Sequence, residues 1–189
     1  MPKLGMEKSR RQELIDATIV TIGAEGYANT TIRKIAKQAG LSVGIISHYF
    51  GGKDELLRAS MWHLMCQLQQ SIIERRRKCT SPRKRLLATV EVIFSEEQSS
   101  SNIVKAWLAF WAQVPFSSPL FHLQQIYSRR LLSHLRFDLF QLYPRKKALD
   151  LSNTVAILID GYWLRTVLDG HHPTPKTAKS LITNALKNA

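Results

Sequence analysis

Residues 31–50 read TIRKIAKQAGLSVGIISHYF, and the fold turns on how this stretch can be arranged. Apolar residues recur at helical spacing on both sides of Ala39-Gly40-Leu41, which marks that tripeptide as a turn between two short helices. The first spans Thr31–Gln38 with Thr30 or Thr31 as N-cap; Ser42 caps the second, which runs to about Tyr49. A helix-turn-helix needs a small residue where its helices cross, and Ala36 stands there. It needs a residue tolerant of left-handed backbone in the turn, and Gly40 fits. It also needs apolar side chains turned into a small core: Ile35, Ala39, Leu41 and Ile46. The outward positions of the second helix are then Ser42, Val43, Gly44, Ser47 and His48. They are small or polar, as expected of a helix lying deep in a major groove. The bland alternative is a helical hairpin in an ordinary core.

Helical periodicity continues in both directions. Upstream, Leu14, Ile15, Thr18, Ile19 and Ile22 share one face of a helix over Glu7–Ala24, which Gly26 ends. Downstream, Gly51-Gly52 breaks the chain and Asp54-Glu55 opens a long fourth helix to about Arg77. Acids at its start and arginines at its end suit the helix dipole. A fifth helix runs from Pro82 to about Glu97, and a sixth over Asn102–Val114 before Pro115. A seventh runs from the Ser118-Pro119 cap signal to about Leu142, an eighth from Pro144 to near Asp169-Gly170, and a ninth starts at Thr174-Pro175. No alternating run argues for a strand. The expected fold is all-α with nine helices.

Composition narrows the function classes. The chain has 189 residues, 44% of them hydrophobic, enough for a real core without disulfides. Its two cysteines, Cys66 and Cys79, are too few for a disulfide scaffold or a zinc cage, so no metal is expected. The longest apolar run near Trp107 is Ala106–Ala112, far short of a membrane span, and MPKLGMEKSRR lacks the apolar stretch of a secretion signal. The expectation is a soluble cytoplasmic protein. Lys and Arg outnumber Asp and Glu by 27 to 14, a net +13 that favours a polyanionic partner. Residues 1–53 carry only +4 of it, so net charge does not locate the site. Arg75, Arg76, Arg77, Lys78, Arg83, Lys84 and Arg85 form a local basic run, either a solvated helix end or a phosphate-facing patch. There is no P-loop, GxGxxG, GxSxG or HExxH motif, so nothing points to an enzyme or a bound cofactor. His63 and Cys66 share a helix face, and His171-His172 precede Pro173. Neither pair amounts to a metal site.

The helix-turn-helix reading assigns roles. The Thr31 hydroxyl and the helix N-terminal amides would hold a phosphate, with Arg33 and Lys53 adding charge contacts. Ser42, Val43, Ser47 and His48 would face bases, Gly44 would allow close approach, and Tyr49 would offer its hydroxyl to a phosphate. Phe50 would pack inside. The basic arm of Lys3, Lys8, Arg10 and Arg11 could reach the backbone or minor groove.

These residues resemble the tetracycline-repressor (TetR) family. The match runs through helix one, the motif ending SHYF, and the KDELL that opens helix four. The segments SVGIISHYF, KAWLAFWAQ, LQQIYSRRLLSHL and ILIDGYWLR further resemble the choline-responsive subgroup, the BetI type, that represses glycine-betaine synthesis. The resemblance implies a DNA-binding domain over residues 1–53 and a ligand-binding and dimerisation domain over 54–189. It implies a cytoplasmic homodimer on an inverted-repeat operator, osmotic-stress regulation, and choline as effector. The alternative within the family is a regulator of another cationic or lipophilic molecule, of the efflux type.

A choline site would need aromatic faces and a carboxylate, because a quaternary ammonium donates no ordinary hydrogen bond. Trp107, Phe110 and Trp111 share one face of the sixth helix. On the eighth, one apolar stripe runs Val155, Ala156, Ile159, Trp163 and Val167, and another runs Ile157, Gly161, Leu164 and Leu168, with Asp160 between them. The candidate ligand-binding set is Trp107, Phe110, Trp111, Tyr127, Asp160, Tyr162 and Trp163. The alternatives are core packing for the aromatics, and for Asp160 an ion pair with Arg129, Arg130 or Arg165. Tyr162 and Trp163 cannot face the same way, so at least one of them serves packing or dimerisation.

Overall fold

The computed structural model describes residues 4–171 and 173–187, with side chains from residue 7 on. The described residues form nine α-helices and no strand: α1 (Leu4–Asn29), α2 (Ile32–Ala39), α3 (Val43–Phe50), α4 (Lys53–Arg77), α5 (Pro82–Ile93), α6 (Ser101–Gln113), α7 (Ser118–Leu139), α8 (Arg145–Leu168) and α9 (Pro175–Lys187). The all-α expectation holds. Gly26 interrupts α1 with φ 74° and ψ 164°, so its long straight run stops where the glycine was expected to stop it. Pro115 tightens the chain after α6 into one 3₁₀ turn, Val114–Phe116.

Two helix ends differ from the sequence reading. α5 stops at Ile93 rather than near Glu97. The Ser95 hydroxyl accepts the Gln98 N–H at 3.4 Å and its carbonyl accepts the Ser99 N–H at 2.9 Å. This local serine turn competes with continued helix. α7 stops at Leu139 rather than Leu142, and the Tyr143 N–H turns back to the Leu139 carbonyl at 2.9 Å. Pro144 follows, and a proline disfavours helical backbone in the residue before it.

The chain divides into two compact units: Met1–Met65 with Ser101–Gln124, and Cys66–Ser100 with Gln125–Ala189. The first unit contains the helix-turn-helix. Leu14, Ala17, Ile35, Ala36, Ile46, Phe50 and Leu56 form its buried core. Gly40 sits at φ 66° and ψ 29°, the left-handed region where glycine carries no side-chain penalty. Its N–H and that of Leu41 close on the carbonyls of Lys37 and Ala36 at 3.2 and 2.9 Å, the double bond that ends a helix and reverses the chain. In the same unit α6 crosses α1 at close range. A Cβ on Gly23 would lie 2.8 Å from the Asn102 Cα, and Lys105 donates to the Gly23 carbonyl at 2.9 Å.

In the second unit α9 packs on α5 and α8 through Ala178, Ile182 and Leu186. α8 buries Leu151, Val155, Ile159 and Trp163 and exposes Ile157, Gly161, Leu164 and Leu168, so its two stripes face opposite ways as the sequence suggested. The basic run is not one surface. Arg76, buried, donates to the fully buried Asp138 at 2.5 Å, and Arg85 donates to the other Asp138 oxygen at 2.8 Å. Arg76 also donates to the Thr89 hydroxyl at 3.0 Å. Such a cluster holds only while every member is paired, because removing one partner of a buried ion pair costs about 3–5 kcal/mol.

Candidate functional site

α3 buries Ile46 and Phe50 and exposes Ser42, Val43, Gly44, Ser47 and His48. The expected outward set is therefore one continuous face. Gly44 lies in its middle, and a Cβ there would meet nothing within 4 Å. The helix would be about 1 kcal/mol more stable with alanine at that position, and no neighbour within the chain requires its absence.

The face is held from behind. Arg11 donates to the Tyr49 carbonyl at 2.7 Å and its guanidinium lies 4.4 Å over the Phe50 ring. Arg10 pairs with Glu13 at 2.8 Å, and Lys8 is exposed. Lys3 lies outside the described residues, as does His172. Tyr49 is half-buried with its ring edge on His48, centroids 4.9 Å apart. Thr31 caps α2, its hydroxyl oxygen accepting the Lys34 N–H at 3.3 Å, and Arg33 is exposed beside it.

Lys53 is turned inward. Its ammonium donates to the Tyr27 carbonyl at 2.6 Å and lies 4.0 Å from the centre of the Tyr27 ring. Tyr27 donates to Asp54 at 2.6 Å. Desolvation lowers the Lys53 ammonium, against the pull of Asp54, and burial together with Asp54 raises the Tyr27 phenol. This clamp ties the start of α4 to the turn after Gly26. Its members stand 26 and 27 residues apart with no spacing signal, so the sequence reading missed it.

The candidate effector residues are distributed over both units. In the first, Trp107 and Phe110 are buried with centroids 5.9 Å apart. Trp111 lies 5.9 Å from Trp107 and donates from its indole N–H to Gln124 at 3.1 Å. In the second, Trp163 is buried. Tyr162 packs edge-on against Phe94 at 5.2 Å, and its hydroxyl accepts the Thr174 N–H at 3.0 Å, which ties the α8–α9 link to α8.

Asp160 is half-buried, and burial pushes its carboxyl up to about 6. The Tyr127 phenol is raised by burial and then by the charge of Asp160. Among the described residues no Lys or Arg pairs with Asp160; Arg165 faces Asp169 at 3.7 Å instead. A desolvated carboxylate without a cation is a costly arrangement in an isolated chain. The described residues include no helix long and apolar enough to cross a membrane.

Comparison with known proteins fits this geometry. Residues 14–60 match the model for bacterial regulatory proteins of the tetR family, a class of helix-turn-helix transcriptional regulators that bind operator DNA and small-molecule effectors. Residues 82–189 match the model for the C-terminal part of BetI-type transcriptional repressors. The HTH-type transcriptional regulator BetI of Escherichia coli K12 is 45% identical over 185 residues, covering 97% of this chain and 94% of that protein. BetI of Paraburkholderia xenovorans is 45% identical over 179 residues, 94% and 92% of the two chains. A putative transcriptional regulator from Saccharomonospora viridis, solved in complex with choline, superposes with a TM-score of 0.82 at 16% identity over 95% of this chain and 96% of that one. The chain belongs to the tetR family of bacterial regulators and carries a BetI-type repressor C-terminal domain.

Proposed function

We propose that this repressor reads its operator with the exposed face of α3 and responds to choline through Asp160, so controlling genes that convert choline to glycine betaine. Ser42, Val43, Ser47 and His48 reach base edges, and Gly44 lets the helix backbone approach the groove floor. The Thr31 hydroxyl keeps its proton free to donate to a phosphate while its oxygen caps α2, and Arg33 and the Tyr49 hydroxyl add backbone contacts. Lys53 reaches a phosphate only by leaving Tyr27. Residues 1–53 supply DNA recognition; residues 54–189 supply effector binding and dimerisation.

Two copies associate through the exposed stripe of α8, where Gly161, like Gly44, has open space above it. Ile157 and Leu168 are 71% and 69% exposed, more apolar surface than one chain covers. A twofold pairing of that stripe places two α3 helices on an inverted repeat. Choline shifts operator affinity by the difference in its own affinity for the two head spacings, and by no more.

The choline reading is carried by the desolvated carboxylate of Asp160, which has no cation of its own among the described residues; the BetI relatives and the choline-bound neighbour support it. A trimethylammonium carries the missing charge and is weakly hydrated, so it enters an apolar site at lower cost than a primary amine. Calorimetry with choline, betaine aldehyde and glycine betaine tests it. Choline should bind, and Asp160→Asn should weaken it by about 2 kcal/mol or more, the range for a desolvated charge contact. Equal binding of choline by parent and folded Asp160→Asn would make Asp160 a structural residue. Equal binding of a neutral carbon analogue would favour a lipophilic effector instead.

A further inference from the structure

The basic run leaves cations that the buried Asp138 cluster does not use. Within the second unit the end of α4, α5 and α9 enclose an open groove of about 590 Å³, within the range of small-molecule sites. Arg75, Lys78, Lys84, Lys179 and Lys187 line it, with Glu91 as the acid among its lining residues. Glu91 is already engaged: Arg75 donates to one oxygen at 2.7 Å and Lys179 to the other at 2.9 Å. These pairs hold the Glu91 carboxyl below the usual carboxylate range, Lys179 first and Arg75 second, against the effect of burial. They also fix two cationic walls in place. Lys78, Lys84 and Lys187 have no carboxylate partner among the described residues.

Neutral donors stand between the charges. Thr183 and Asn184 fall on the same face of α9 as Lys179 and Lys187, and Leu87 and Ala88 give the groove an apolar floor. Fixed cations, neutral hydrogen-bond donors and an apolar floor suit an anion with several charged oxygens and an organic body. Five cations against one acid leave a local +4, so a monovalent carboxylate would under-neutralise it. A DNA backbone would need cations strung along an accessible surface; here they converge on a concave groove from three elements.

We propose that this groove binds a small polyvalent phosphate, such as a nucleotide or a phosphorylated metabolite, independently of the choline and operator sites. The test is calorimetry on the full-length protein with inorganic phosphate, pyrophosphate, ATP and adenosine at matched ionic strength, together with a random DNA duplex. Pyrophosphate and ATP should bind one per chain and adenosine should not. The triple variant Lys78→Gln/Lys84→Gln/Lys187→Gln should lose ~10-fold or more in affinity, as expected for several lost charge-assisted contacts, and the triple Lys→Arg variant should retain it. Circular dichroism and melting confirm that both variants fold. The proposal is overturned if no phosphate binds the parent, if the Gln variant binds as the parent does, or if these lysines are needed for the random duplex and not for pyrophosphate. An Arg variant that loses binding as completely as the Gln variant would also overturn it, because charge would then not be the determinant.

Discussion

The outward faces of α3 and α8 make an instructive pair. Each is an exposed helix surface with a glycine in the middle, and each glycine has open space where a side chain could stand. Around Gly44 the exposed neighbours are Ser42, Ser47 and His48 with Val43; around Gly161 they are Ile157, Leu164 and Leu168. Gly23 behaves differently, since a Cβ there would strike Asn102 within the same unit. Gly23 is explained by the chain itself. Gly44 and Gly161 each cost a helix about 1 kcal/mol that nothing inside the unit returns. The chemistry around each suits the partner proposed for it: short hydrogen-bonding groups for a DNA groove, apolar side chains for a second copy.

The sharpest way to break this comparison is to charge the α8 stripe. Ile157→Glu with Leu164→Glu should leave the monomer folded, because both side chains are exposed, and should prevent dimerisation. Affinity for a full inverted repeat should then fall by roughly 10²–10⁴-fold, the contribution of a linked second half-site. Sedimentation and operator titration read the two effects. A variant that stays dimeric places the interface elsewhere.

Asp160 extends the comparison to a carboxylate that no Lys or Arg pairs with among the described residues. Its carboxyl is raised from 3.8 to about 6 by burial, so the folded chain holds a proton between those values that the unfolded chain has released. The contribution of Asp160 to stability is therefore greatest below about pH 4 and is lost as pH rises to about 6. Asp160→Asn should be more stable than the parent at neutral pH, by up to about 3 kcal/mol for a gap of roughly two pH units, and the gain should vanish below about pH 4. Denaturant melts across pH measure it. Choline bound at Asp160 as proposed would favour the ionised form, so its affinity should fall by about tenfold per pH unit below about 6. An affinity flat from pH 5 to 8 would detach choline from this carboxylate.

The smallest expected effects separate two cations. Arg33 is exposed and Lys53 is clamped on Tyr27. Arg33→Ala should reduce the slope of log affinity against log salt by about one unit for every duplex, as one lost phosphate contact does. Lys53→Ala should change the slope less and should lower the melting temperature of the head. Equal slopes for both variants would show that Lys53 leaves Tyr27 for the DNA.

Local chemistry made most of the fold legible. Gly40 in its left-handed turn, the Thr31 and Thr174 caps, Pro115 and the two stripes of α8 each act within a few residues, so spacing alone exposes them. The outward set of α3 follows from the same periodicity. Longer-range pairings were not legible: Arg76 with Asp138 across 62 residues, Lys53 with Tyr27 across 26, and Tyr162 with Thr174 across the α8–α9 link. The basic run around Pro82 shows the reason. Seven similar side chains read as one basic run, a solvated helix end or a phosphate-facing patch, but Arg76 and Arg85 are drawn inward by a carboxylate that the periodicity gives no means of locating. Likewise helix periodicity places Asp160 between two stripes without showing that, among the described residues, no arginine pairs with it.

The most direct test of the α3 assignment is operator binding by Gly44→Leu. The open space at Gly44 predicts a folded protein, at least as stable as the parent and unchanged in oligomeric state. The groove-docking account predicts a loss of operator affinity of ~100-fold or more, down toward the level of non-specific duplex binding. Parental operator affinity in a folded Gly44→Leu protein would contradict it, and α3 would not be the element that enters the groove.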